Sequence, residues 1–200
     1  ARAEQGAGNQ AVMLELAGLV EVLEQQQQRM QVRLNDFPEY RVVAPRALEL
    51  DEFRAVLGPG EAYAKLALVG SDIFMFWVDG RGPRAWRIEM DERDLDFEVD
   101  MLRASISLFE SGQFVTYPYD IAAAHRLFAQ LFAPVAADLG TVSHLVFEPD
   151  GALLRLPVDI LVTDAASVAR YDARVAGGGD QYDFTGTALL GEARQISTGG

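Results

Sequence analysis

Between Glu61 and Met90 the chain alternates three strand-length runs with two glycine-bearing turns, and this stretch constrains its folding more than any other. The runs are Glu61–Val69, Ile73–Asp79 and Arg84–Met90. They are separated by Gly70-Ser71-Asp72 and Gly80-Arg81-Gly82-Pro83. The runs are strand-like and the separators are turn-forming residues, so the spacing predicts an antiparallel meander.

Beyond Met90 the chain mixes helix and strand. From Asp91 to about Leu108, alternation over Asp94–Met101 would suit a strand, but Leu95, Val99, Leu102 and Ile106 also form a helical stripe. Acids massed at the beginning, where the helix dipole favours them, decide for helix. Gln113–Tyr119 reads as a loop. Asp120 is placed to cap a helix whose apolar face holds Ala124, Leu127, Leu131 and Val135. Val142–Phe147 is a short apolar run of the kind found in buried parallel strands. Pro149-Asp150-Gly151 turns the chain, and Leu153–Val162 reads as irregular strand around Pro157. After Thr163 the pattern loosens, and Gly177-Gly178-Gly179 reads as a loop. Helix alternating with strand after a meander makes the fold class α/β with a mixed sheet.

Ahead of the meander, Val12, Leu16, Leu19 and Leu23, continued by Met30, Leu34 and Phe37, predict one long helix over about 10–36. Such a stripe needs a partner: either its own domain, or an upstream helical-repeat array of which it is the last helix. Phe37-Pro38 ends it, because the residue before proline avoids helical angles. A short helix is expected at Asp51–Leu57, with Asp51 as N-cap and Gly58-Pro59-Gly60 as the stop.

Charge and chemistry narrow the function. A formal charge of −13, with no Lys/Arg cluster, argues against nucleic acid and membrane surfaces as partners. No apolar stretch is long enough to span a bilayer and no signal peptide is visible, so a cytoplasmic protein is expected. Sixteen of the seventeen basic residues are Arg, which suits a GC-rich bacterial genome. There is no cysteine, hence no disulfide, no Cys-type zinc site and no cysteine nucleophile in these residues. His144 adjoins Ser143, but neighbouring strand residues face opposite ways, so that pair cannot act as nucleophile and base. His125 lies mid-helix without a motif around it, and both histidines read as structural or surface residues. Asp94, Asp96 and Glu98 imitate an EF-hand loop, but Val99 stands where that loop needs Gly, so a solvated helix face is expected and no metal. Lys65 has no glycine-rich loop before it, and no cofactor motif is present.

Several segments together resemble the CHAT domain, the caspase-like domain found downstream of tetratricopeptide repeats in bacteria. Leu57-Gly58-Pro59-Gly60-Glu61-Ala62 is similar to the approach to that family's first strand, with Trp77-Val78 on its second. Phe37-Pro38-Glu39-Tyr40 and Pro45 resemble the linker that leads in from a long helix. Asp120–Val135 resembles the family's long helix, and His144–Val158, with its Pro149-Asp150-Gly151 and Leu156-Pro157, carries the most specific likeness.

The resemblance implies residues 1–36 as helical linker or repeat tail, and residues 37–200 as the N-terminal half of a caspase-like mixed sheet flanked by helices. The family's His-Gly and Ala-Cys motifs do not occur here, so no catalytic residue is carried over and the chain alone is expected not to be an enzyme. The parent would be a caspase-like cysteine endopeptidase, this part shaping sheet and substrate cleft, with a protein or peptide substrate, upstream helical repeats, and the catalytic half or a companion chain as partners. One alternative is an inactive interaction scaffold linked to repeats; another is an unrelated acidic α/β domain with a closed sheet. The loop after the strand at 142–147, Glu148-Pro149-Asp150-Gly151, would line the cleft, with Glu148 or Asp150 meeting a basic substrate residue; the same segment also reads as a plain Pro-Asp-Gly turn. If the sheet is incomplete, an exposed apolar edge is expected.

Overall fold

The computed structural model describes residues 49–106 and 108–198. The helix expected over 10–36, the break at Phe37-Pro38 and the boundary between 36 and 37 lie outside the described residues.

Helix α1 is Leu50–Val56. It begins one residue before Asp51, which therefore sits in the first turn instead of capping it, 3.6 Å from Arg54. The meander follows as β1 (Glu61–Val69), β2 (Asp72–Asp79) and β3 (Gly82–Asp91), antiparallel throughout. Gly70 takes φ +64° in the first turn, a left-handed angle that a side chain disfavours. Asp91 then caps α2 (Glu92–Ala104), accepting from the N–H of Asp94 at 2.9 Å, and Leu95, Val99 and Leu102 are its buried stripe.

A small hairpin, β4 (Leu108–Glu110) and β5 (Gln113–Val115), occupies part of the stretch expected to be loop. Its turn places Ser111 and Gly112 at positive φ, a tight hairpin geometry that composition alone does not announce. Asp120 caps α3 (Ile121–Phe132) through Ala123 N–H. A 3-10 turn at Ala133–Val135 and the short α4 (Ala136–Leu139) lead to β6 (His144–Glu148), which is parallel to β1.

Leu153–Val162 is not strand. It forms two 3-10 turns, Gly151–Arg155 and Val158–Ile160, and only Val162 makes a single bridge, to Leu189. Ala152, Leu153, Leu156, Val158, Leu161 and Val162 are all buried along this irregular path. The apolar run reports burial, and the Gly151 and Pro157 geometry prevents a ladder. The stretch after Thr163 contains α5 (Ala165–Ala176), capped by Asp164. Gly177, Gly178 and Gly179 close it by donating to Ala173, Val175 and Arg174 carbonyls. The described chain ends with β7 (Gln195–Thr198), parallel to β6.

The result is a five-stranded mixed sheet in the order β3-β2-β1-β6-β7, flanked by helices. Strand alternation sends Ala62, Ala64, Leu66, Ile73, Met75, Trp77, Leu145 and Phe147 to one face, where all are buried with the stripes of α2 and α3. The Phe132 ring of α3 lies 6.1 Å from that of Phe147. The other face carries Glu61, Tyr63, Lys65, Phe76, His144, Val146, Glu148 and Ser197. There Phe53 of α1 packs edge-on against Tyr63, and Phe76 stays 43% exposed.

Candidate functional site

The polar groups on this second face gather on β1, β6 and β7, in two clusters along the strands. At the beginning of the strands, His144 is the hub. Its Nδ1 lies 2.9 Å from Glu61 Oε1 and its Nε2 lies 2.9 Å from Ser197 Oγ. A carboxylate can only accept, so Nδ1–H donates to Glu61, and in the neutral ring Nε2 accepts from the Ser197 hydroxyl. The second Glu61 oxygen accepts from Gly58 N–H at 2.8 Å. That backbone bond, followed by the one to His144, holds the Glu61 carboxyl below its ordinary range.

The adjacency rule correctly keeps Ser143 from His144: Ser143 Oγ donates to Gly60 O instead. It misses Ser197, which reaches His144 from the next strand. Serine, imidazole and carboxylate in this order have the reach of a nucleophile, base and orienting acid. The amides of Gln195 and of Ser197 itself are already engaged. Gln195 N–H is spent on Ser143 O, and in a parallel ladder Ser197 N–H faces β6 as well, so neither amide is free to meet a developing negative charge. Among the described residues the chain of bonds works as a tie across three strands.

Toward the carboxyl ends of the same strands, Glu148 accepts from Tyr63 and from Lys65. The Lys65 bond, then the Tyr63 bond, keeps the Glu148 carboxyl low. Burial, reinforced by the neighbouring carboxylate, pushes the Tyr63 phenol upward. Glu148 is thus an ionised, half-exposed carboxylate at the end of a parallel strand, paired with a half-exposed ammonium. Asp150 has a different task. Its Oδ2 accepts from Leu68 N–H at 3.1 Å and its Oδ1 from Gly151 N–H at 2.8 Å, so it caps the 3-10 turn and binds the end of β1. The two sequence-selected acids are two residues apart and have different partners.

Several other charged groups are matched within the fold. Asp79 and Asp138 are buried. Asp79 accepts from Trp77 Nε1, Arg81 N–H and Arg84, and Asp138 accepts from Arg81 and Arg84. His125 Nδ1 meets Val162 O at 3.0 Å, fixing α3 to the irregular segment. On α2, Asp96 and Asp100 bind the two ends of the Arg155 guanidinium at 2.7 and 2.8 Å. Among the described residues, no group of three or more His, Cys, Asp or Glu is placed to hold a metal, and no helix is long and apolar enough to cross a membrane.

The sheet's two edges differ. β3 carries Pro83, Arg84, Arg87 and Glu89, with a register shift at Asp72/Ile73 where it pairs with β2. Proline, charge and irregular register are common defences against edge pairing. β7 has neither charge nor proline and, among the described residues, pairs on one side only. Its side chains are mixed: Gln195 and Thr198 are exposed, Ile196 and Ser197 partly buried. The expected apolar edge is therefore an open edge of mixed polarity. No family model, curated protein or solved structure matches this chain.

Proposed function

We propose that this chain forms the noncatalytic N-terminal part of a caspase-like CHAT cysteine peptidase domain. The observation that carries the reading is the edge of β7, which among the described residues pairs only with β6, at the end of the parallel series β1-β6-β7. A sheet guarded at one edge and, among the described residues, unpaired at the other suits a unit that continues into further strands. In this reading the continuing part, or a companion chain, supplies a His base and a Cys thiolate for acyl transfer, and these residues shape sheet and cleft. In this reading Glu148 meets a basic substrate residue by exchange with Lys65, a role supported by its half-exposed ion pair. Asp150 is committed to the backbone. Upstream helical repeats and a bacterial cytoplasmic setting belong to the same proposal.

Intact-mass measurement and peptide mapping of the protein purified from its source test the reading. The expected result is a longer polypeptide, or a tightly bound fragment, containing His-Gly and Ala-Cys motifs, whose cysteine is labelled by an electrophilic peptide and not after Cys→Ala. A cooperatively folded monomer of these residues alone would overturn it. A continuing part without the His and Cys pair would favour the inactive scaffold.

A further inference from the structure

The edge of β7 that is unpaired among the described residues does not stand alone. Gln195 N–H donates to Ser143 O at 2.9 Å, which fixes the phase of the ladder. In a parallel pair the backbone groups of alternate residues point to the same neighbour, so Gln195 and Ser197 face β6 while Ile196 and Thr198 turn their N–H and C=O outward. Beside that edge runs a cleft of about 480 Å³, walled by Pro157, Val158, Ile160, Leu189 and Ile196, and reaching Thr198. This volume falls within the roughly 300–1,000 Å³ usual for ligand sites.

Two acids and one base line the cleft. Asp159 and Glu192 both line it, both are exposed, and neither carboxylate has a hydrogen-bond or ion-pair partner among the described residues. Arg194 also lines the cleft but turns inward, its Nε to Leu190 O at 3.1 Å and a terminal nitrogen to Leu139 O at 2.7 Å. Its guanidinium is fixed on carbonyls, so it pairs with neither acid.

We propose that the β7 edge and this cleft form a strand-addition site for an extended segment carrying an apolar side chain beside a Lys or Arg. The segment exchanges backbone hydrogen bonds with Ile196 and Thr198. It seats its apolar side chain among Val158, Ile160 and Leu189 and sets its cation between Asp159 and Glu192. Backbone pairing supplies affinity, and the side-chain subsites supply selectivity. The identification of the segment as a strand of the catalytic half rests on the proposed function; the site itself rests on the geometry of the edge and cleft.

The test uses the full chain and a short capped peptide of alternating Val and Arg, followed by amide chemical shifts. Saturable shifts centred on Ile196, Thr198 and the cleft are expected. Replacing Arg by Glu in the peptide, or making Asp159→Asn with Glu192→Gln in the protein, weakens binding by roughly tenfold or more. Thr198→Pro removes one outward N–H without touching the ladder to β6, and should abolish the shifts while leaving the Tm within a few degrees of the parent. Absence of saturable binding, or binding indifferent to both Thr198→Pro and the charge changes, overturns the site. Peptide binding by a protein whose source form lacks any His/Cys half would sustain the site and overturn the proposed function. A His/Cys half in the source protein together with an inert β7 edge would do the reverse.

Discussion

His144 opens β6, and its Nε2 lies 2.9 Å from the hydroxyl of Ser197, the third residue of β7. The contact runs diagonally across the ladder, since Val146 is the register partner of Ser197. Through Nδ1 the same ring holds Glu61 on β1, so one imidazole ties three strands. Replacing His144 by Phe keeps bulk but deletes both bonds and leaves Glu61 and Ser197 short of a partner. A loss of about 1–2 kcal/mol is expected. Amide exchange should accelerate most in β7, which among the described residues pairs only with β6, and least in β2. Denaturant unfolding with residue-resolved exchange checks both; a uniform acceleration would mean that His144 does not tie β7 in particular.

Acid should weaken the molecule in a defined direction. Glu61 and Glu148 both have carboxyl groups held low in the folded state, the first by Gly58 N–H and His144, the second by Lys65 and Tyr63. A folded value below the unfolded one gives stability that is complete above the unfolded pKa and disappears as pH falls through the folded value. The Tm is therefore expected to start falling below about pH 4.5, near the ordinary Glu range, and to keep falling through the lowered values. Glu148→Gln, which cannot ionise, should flatten that part of the curve relative to the parent. An equal acid dependence in the variant would mean that Glu148 is not held low.

The fold was legible where local chemistry and burial agree. The meander has glycine turns between β-rich runs, and both long helices before β6 begin at an aspartate that caps them, Asp91 and Asp120. It was illegible where burial imposes no period. Ala152, Leu153, Leu156, Val158, Leu161 and Val162 are buried along a path of 3-10 turns and irregular backbone while Leu154 is exposed, so neither alternation nor a helical stripe can describe them. Helix α5 did leave signals, Asp164 as cap and the glycines 177–179 as stop. Its modest apolar content, with only Ser167 fully buried, hid them. The polar face was the hardest part. Its hub depends on Ser197 arriving beside His144 from 53 residues away, and only the order of the parallel strands brings them together.

The two functions open to Asp150 make opposite predictions about stability. As a substrate contact alone, its removal would leave folding untouched. The geometry instead gives Asp150 the Leu68 and Gly151 amides, so Asp150→Ala is expected to cost about 1–2 kcal/mol, with Asp150→Asn costing less because one acceptor oxygen remains. Gly151→Ala probes the same turn from the backbone. Gly151 has φ +55°, and an added Cβ would lie 2.9 Å from Leu68 Cδ1. A left-handed residue with a side chain costs about 1–2 kcal/mol before any displacement of Leu68 is counted. Both variants should therefore lower the Tm and loosen the end of β1, while Glu148→Ala, which removes only half-exposed partners, should change it less. If Asp150→Ala left the Tm unchanged while Glu148→Ala lowered it, the structural and substrate-facing roles assigned to these two acids would have to be exchanged.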